Sequence, residues 1–438
     1  MFTKLQSIIF AGIDWGSQLH QVCVMNLEGT VLGERAFPHS GEGLGQLLDW
    51  VLACAGCAAA HIGVAIEIPH GPVVDSLLDR GFRVFSINPK QLDRFRDRFS
   101  PAGAKDDRRD ARVLADALRT DPACLRELDP LDAHIVQLRE WSRMHEELTH
   151  QRTRLTHQVR DQLWRYFPQF LKLGFALSSP VMMALWTLIP TPTRARRVRL
   201  SSVEKVLKAH RIRRLNAEQV LQCLRTRPVT TAAGVLEAAT TRVKLLLQQL
   251  ALIEQHISEA KQAMEALLAS LSTEQRPAPA SSGEEETDPG CEPSSSRGTL
   301  RDVEILSSMP GVGTTVLATL LSEASSLFKN RDYRGLRCLC GVAPVTRRSG
   351  KSWRVGRRRA CQARLVNAVY HWSRVAVQHD PISKAKYKAL RARGHSHGRA
   401  LRSIADRLLA VACAMLRDQT CFDRSRATAA AKLLQPAG

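Results

Sequence analysis

Five carboxylates and one hydroxyl carry the chemistry that this sequence could perform. Asp14 ends the apolar run IIFAGID and is followed by Trp15, Gly16 and Ser17. Glu67 closes a second apolar run, in VAIEIPHG. Asp106, Asp107 and Asp110 crowd into KDDRRDA. In a helix beginning near Lys105, Asp107 and Asp110 are i and i+3 and point the same way; Asp106 with Asp110, at i and i+4, satisfies the geometry equally. Carboxylates that converge repel one another and are costly to bury unless a cation intervenes. Mg²⁺ prefers such hard oxygen ligands, and two ions about 4 Å apart form a clamp for a scissile phosphodiester. Singly, each acid reads as a cap or a surface charge. The specific signal is the set: a strand-end Asp, a strand-end Glu and a helical Asp-x-x-Asp.

The hydroxyl is Ser349, in GVAPVTRRSGKSWRVGRRR. It lies among Arg347, Arg348 and Lys351, with Arg354, Arg357, Arg358 and Arg359 close behind. A serine is a weak nucleophile until a base or a positive field favours its alkoxide. Clustered cations supply that field and also hold the phosphate to be attacked. On chemistry alone, a serine in such a setting more often hydrogen-bonds a phosphate than attacks it. Upstream, LSSMPGVGTTVLATLLSE suits a helix–hairpin–helix-like turn, in which Gly311 and Gly313 let backbone N–H groups approach a phosphate. A turn joining two ordinary packed helices is the plainer alternative.

The elements needed to position these groups are legible in outline. SIIFAGID, HQVCVMN and GTVLGERAF read as three strands. The helical GLGQLLDWVLACAG follows, then strands HIGVAIEI and FRVFSIN, then further helices. This order, over residues 1–128, is that of an α/β sandwich of the ribonuclease H type. Its first and fourth strands would be neighbours, with Asp14 and Glu67 side by side. Residues 129–271 read as all-α. Leu138, Trp141, Leu148, Leu155, Val159 and Leu163 mark one helix face. From Ala239 through Val243, Leu246, Leu250, Ile253, Ile257, Ala260, Met264 and Leu267 to Leu271, apolar residues alternate in steps of four and three. That heptad seam predicts a coiled coil, either between copies of the chain or antiparallel within it. Residues 272–298, rich in Pro, Ser and Gly and locally acidic, read as a flexible linker. Residues 299–425 read as a mostly α domain carrying Ser349.

Composition narrows the partners. The net charge is +21 and the pI near 10.0, which favours a polyanion, most simply nucleic acid. Between Arg331 and Arg407 stand 20 Lys or Arg against 3 Asp and no Glu. A solvated helix surface normally mixes the signs, whereas a concentrated field suits a phosphate backbone. No apolar run approaches the roughly 18 residues of a membrane span, and FTKLQSIIFAGIDWG reads as a strand and not a signal peptide. The 11 cysteines include one CxxC, Cys54 and Cys57, without a second pair for zinc. A reduced, cytoplasmic protein is expected.

These motifs, in this order, resemble transposases of the IS110/IS1111 group and the related Piv-type DNA invertases. FAGIDWGSQLHQVCV, AIEIPHG and INPKQLDRFRDRFSPAGAKDDRRDARVLADALR are similar to that group's DEDD nuclease domain, which has a RuvC-like fold. LSSMPGVGTTVLATLLSE and FKNRDYRGLRCLCGVAPVTRRSGKS are similar to its C-terminal transposase domain. The resemblance implies that Asp14, Glu67, Asp107 and Asp110 are catalytic metal ligands for Mg²⁺. Asp106 then takes a threonine position, and Ser349 is a nucleophile that links covalently to DNA. The resemblance further implies donor and target DNA, a noncoding bridge RNA, and a homo-oligomer, dimer or tetramer. Where that group carries Lys-x-Gly-Asn after its Ser-Gly motif, this chain has RRRACQARL; Arg358, Arg359 and Arg364 could substitute at phosphates. The function expected is site-specific DNA recombination with a serine nucleophile. A RuvC-like structure-specific nuclease using water, an invertase on the same carboxylates, and a non-enzymatic nucleic-acid scaffold are the alternatives.

Overall fold

The computed structural model describes residues 9–99, 106–128, 132–273, 302–350 and 352–423. Most of the expected linker 272–298 lies outside the described residues, as does Lys351. The chain divides into two compact units, Met1–Asp132 and Ala133–Gly438.

The first unit is a mixed α/β layer structure. Strands β1 (Ile9–Asp14), β2 (Leu19–Met25) and β3 (Val31–Pro38) form an antiparallel meander. Strands β4 (Ile62–Ile66) and β5 (Arg83–Ser86) extend the sheet in parallel from β1. A short β6 (Arg126–Leu128) closes the edge antiparallel to β5, giving the order β3-β2-β1-β4-β5-β6. The five strands expected are present; the sixth, only 3 residues long, carries no apolar alternation that would announce it.

Four helices cover the sheet: α1 (Gly41–Ala55), α2 (Pro72–Asp79), α3 (Pro89–Arg96) and α4 (Asp107–Thr120). Strand residues alternate faces, and the core divides accordingly. Ile9, Ala11, Ile13, Val64 and Val84 pack with Leu47 and Val51 of α1 and Val74 and Leu77 of α2. Phe10, Ala65 and Phe85 pack on the other face, with Leu92 of α3 and Val113, Leu114 and Ala117 of α4. Gly12 lies on that second face, where a Cβ would stand 2.0 Å from the Ala111 carbonyl oxygen and 2.5 Å from the Ala115 nitrogen. The absence of a side chain lets α4 lie directly on β1.

The second unit is mostly helical. Two long helices, α5 (Ala133–Tyr166) and α11 (Val235–Thr273), run antiparallel and enter two cores. Near the end of α5, Val159, Leu163 and Tyr166 pack with Val243, Leu246 and Leu250 of α11. Short helices close this core: α6 (Gln169–Lys172), α7 (Pro180–Leu188), α8 (Pro192–Arg197), α9 (Leu200–Ala209) and α10 (Ala217–Leu224). At the other end, Leu138 of α5 and Met264, Leu268 and Leu271 of α11 join the C-terminal helices in one core. Those helices are α12 (Asp302–Ser307), α13 (Thr314–Glu323), α14 (Ser325–Lys329), α15 (Tyr333–Leu339), α16 (Ala363–His379), α17 (Pro381–Ala392) and α18 (His397–Asp418). The heptad seam is therefore spent largely inside the chain, with Ala239, Val243, Leu250, Ala260 and Met264 at 3% exposure or less. A hairpin of β7 (Val345–Ser349) and β8 (Ser352–Gly356) stands between α15 and α16. Among the described residues, no helix is long and apolar enough to cross a membrane.

Candidate active site and nucleic-acid interface

The carboxylate end of the sheet is built by register. Ile13 of β1 pairs with Ile66 of β4, so Asp14 and Glu67, one residue further on each strand, lie at the same end of neighbouring strands. Both are half-buried. The backbone N–H of Ile87 donates to the Ile66 carbonyl at 3.1 Å, which brings the start of α3 to the same edge.

Helix α4 carries the remaining acids and gives the three aspartates different surroundings. It begins at Asp107, and Asp106 is its N-cap, with a side chain that accepts from the Arg108 N–H at 3.3 Å. Asp106 thus satisfies an orphan helix donor. Asp107 and Asp110 occupy the first turn, Asp107 exposed and Asp110 fully buried. The close approach of α4 to Gly12 places Ala111, and with it Asp110, against the strand that ends in Asp14.

Asp110 is not alone. Arg96, the last residue of α3, grips it with both arms of the guanidinium: Nε donates to Oδ1 at 2.6 Å and Nη2 to Oδ2 at 2.7 Å. The third nitrogen, Nη1, donates to Asp93 on the same helix. Burial pushes the Arg96 pKa down, but Asp110, Asp93 and Glu67 outweigh it and hold the guanidinium above its ordinary range. One cation therefore balances acids from α3, α4 and the end of β4. The donor set, all carboxylate oxygen, is chemically that of a hard divalent ion. In the side-chain positions described, no three His, Cys, Asp or Glu gather closely enough to hold a metal among the described residues; the cationic role is taken by Arg96.

Ser349 is the last residue of β7 and is exposed. Gly350, at φ +51°, turns the chain back into β8, a conformation that favours glycine. Pairing divides the hairpin into two faces. Ser349 lies opposite Ser352 and Arg347 opposite Arg354, all four on one face. Arg348 lies opposite Trp353 and Thr346 opposite Val355, on the other. Trp353 is 75% exposed and Val355 57%. Among the described residues, Arg347, Arg348, Arg354, Arg357, Arg358 and Arg359 form no ion pair. Beside the hairpin's exit, burial lowers the pKa of Arg402, and Arg357 and Arg399 lower it further.

Comparison with known proteins agrees at both ends. A transposase profile for the IS110 DEDD domain matches residues 11–168. A second profile, transposase of the IS116/IS110/IS902 family, matches residues 303–388. The mini-circle transposase of IS117 from Streptomyces coelicolor is 30% identical over 438 residues, 98% of each chain. The chain belongs to the IS116/IS110/IS902 family of transposases, enzymes that cut and rejoin DNA. An IS110 protein of Streptomyces coelicolor is 26% identical over 97% of each chain. Transposase y4uE of Sinorhizobium fredii is 52% identical over 203 residues; this match spans 46% of the present chain and 56% of that relative.

In this transposase some expected contacts are placed elsewhere. A Cβ on Gly311, at φ +84°, would stand 2.7 Å from the Ala376 nitrogen of α16, and the adjoining Pro310 carbonyl accepts from the Trp372 indole at 3.1 Å. Packing on α16 gives a reason for glycine at 311, whose residue is half-buried. Gly313, exposed at the N-cap of α13, has open space above it. Arg364, expected as a substitute phosphate ligand, is engaged by Glu146, Glu323 and Ser142. Its guanidinium is satisfied inside the protein.

Sequence reasoning did not single out Arg96, which binds Asp110, or Trp353, which stands exposed on the hairpin. Trp353 had a signal, an aromatic in a run of cations, where a base can stack. Arg96 had none, because arginines beside aspartates in LDRFRDRF read as a solvated surface.

Proposed function

We propose that this transposase cuts and rejoins DNA strands with its strand-end carboxylates and Ser349 acting together. The six-stranded order supports reading the first unit as a RuvC-like, RNase H-like nuclease domain. Asp14, Glu67, Asp107 and Asp110 would hold Mg²⁺, in keeping with the divalent-metal use typical of DEDD transposases. When bound, the metal supplies Lewis-acid activation of the scissile phosphate. The protein's own part is to orient and exchange bonds. Arg347 and Arg354, on the same hairpin face as Ser349, hold the phosphate and favour the ionised hydroxyl. The Ser349 oxygen forms a bond to phosphorus, the bond from phosphorus to the departing DNA oxygen breaks, and that oxygen takes up a proton. One phosphodiester is thereby exchanged for another. Its bond energy is kept until a DNA hydroxyl attacks in turn and frees the serine.

The opposite hairpin face, with Trp353 and Arg348, offers a base-stacking surface on the same nucleic acid. The positive block from Arg331 to Arg407 has charge enough for donor and target DNA and for a bridge RNA. Assembly as a homo-oligomer would let two DNAs be held at once. The register of Ile13 with Ile66, which puts Asp14 beside Glu67, is the observation that carries this reading.

A strand-joining assay with Asp14→Ala, Asp110→Ala and Ser349→Ala tests it. Loss of joining in all three is expected. Undiminished joining in either aspartate variant overturns the metal site. Cleavage that survives in Ser349→Ala turns the reading to a structure-specific nuclease that uses water.

A further inference from the structure

We propose that Arg96 is a built-in counter-cation that keeps the carboxylate site shut and must leave Asp110 when a divalent ion enters. The inference rests on the reading of Asp14, Glu67 and Asp110 as ion ligands.

The guanidinium fork takes both Asp110 oxygens, at 2.6 Å and 2.7 Å. The Asp110 side chain is 1% exposed, so a metal has few other directions from which to reach it. Arg96 and an ion therefore compete for the same oxygens. An unbalanced buried carboxylate would be costly, and Arg96 removes that cost while the ion is away. The arginine also has a place to go. Asp93, three residues earlier on α3, already accepts from Nη1, and its side chain is 63% exposed. Rotation about the Arg96 side-chain bonds can carry the guanidinium from Asp110 toward Asp93 and solvent with the backbone of α3 in place. The site thus has two states, arginine in and arginine out, and only the second binds a divalent ion. If the open state is about 1–10% populated, the apparent dissociation constant is raised about 10- to 100-fold.

The test uses the full chain with Mg²⁺ alone. Its affinity is measured by calorimetry, and the thermal midpoint is read in EDTA and in saturating MgCl₂. For Arg96→Gln the expected result is a lower midpoint than wild type in EDTA, recovery in MgCl₂, and Mg²⁺ binding about 10- to 100-fold tighter than wild type. Arg96→Gln with an unchanged affinity and a midpoint equally depressed with and without Mg²⁺ would make Arg96 a structural pin and overturn the inference. If Arg96→Gln fails to fold, Arg96→Lys is read the same way: it keeps a cation but loses the fork, and binding no tighter than wild type refutes the exchange. A wild-type protein that neither binds Mg²⁺ nor shifts its midpoint removes the carboxylate reading, and the inference with it.

Discussion

Gly12 of β1 and Ala111 of α4 meet so closely that a single methyl group on Gly12 would stand 2.0 Å from the Ala111 carbonyl oxygen. The neighbour is helix backbone, so the helix itself would have to move. Asp14 is two residues along the strand and Asp110 one residue back on the helix, so this contact sets the spacing of two catalytic candidates. Gly12→Val should lower stability by about 1–3 kcal/mol, the range for overpacking a filled core. Strand cleavage should fall further than that loss of folded protein explains. Thermal unfolding and cleavage at a temperature where the variant remains folded separate the two effects; cleavage at the wild-type rate would show that the helix has room.

The three adjacent aspartates should behave differently. Asp106 caps α4, so Asp106→Asn should be close to neutral and Asp106→Ala should cost about 1 kcal/mol, with cleavage retained in both. Asp107 is exposed in the first turn, and Asp107→Asn should leave stability nearly unchanged while abolishing cleavage. Parallel melting curves and cleavage time courses check this, and an active Asp107→Asn enzyme would move the proposed ligand role to Asp106.

The two hairpin faces predict two kinds of binding defect. Losing Arg347 or Arg354 should flatten the dependence of log affinity on log salt by about 0.7–0.9 per phosphate contact. Trp353→Ala should cost about 1–3 kcal/mol on single-stranded DNA through lost stacking, with the salt slope unchanged. Titrations at several salt concentrations distinguish the two, and a Trp353→Ala protein with wild-type affinity would remove the tryptophan from the interface.

Glu323 ties α13 to α5 and α16. Its side chain is 4% exposed and accepts from Arg143 at 3.0 Å, from Gln362 at 2.5 Å and from Arg364. Burial pushes the Glu323 carboxyl up, but Arg143, Arg364 and Gln362 outweigh it and hold the pKa below the ordinary 4.5. A depressed carboxylate pKa contributes stability that is present above the unfolded value and is lost as pH falls through the folded one. The second unit should therefore lose stability on acidification below about pH 4.5. Glu323→Gln should remove that part of the acid dependence and cost about 1–3 kcal/mol at neutral pH by taking a charged acceptor from Arg143 and Arg364. Melting curves across the acid range would contradict this if the variant kept the wild-type slope.

Much of this arrangement could be read before the fold was in view, for physical reasons. Strands β1 to β5 announce themselves by buried apolar runs between turn residues, and Asp14 and Glu67 stand where two such runs end. Helix α4 starts where KDDRRDA suggests, because an aspartate cap marks it. What escaped depends on contacts distant in the chain. Nothing local tells which arginine will reach Asp110, 14 residues from Arg96. The heptad seam of α11 fixes a face but not the partner that covers it, here largely α5 and the short helices. Arg364 looked like a phosphate ligand by type, yet Glu146 and Glu323 hold its guanidinium.

The most direct test of the account is to stop the reaction on DNA and ask which atom carries the strand. Full-length protein is incubated with Mg²⁺ and its DNA, denatured and digested, and the residue bearing the nucleotide is identified by mass spectrometry. The account predicts a phosphodiester on Ser349 Oγ, absent from Asp14→Ala and Asp110→Ala protein. Cleaved DNA with no protein-linked nucleotide, or a nucleotide on any other residue, would contradict it.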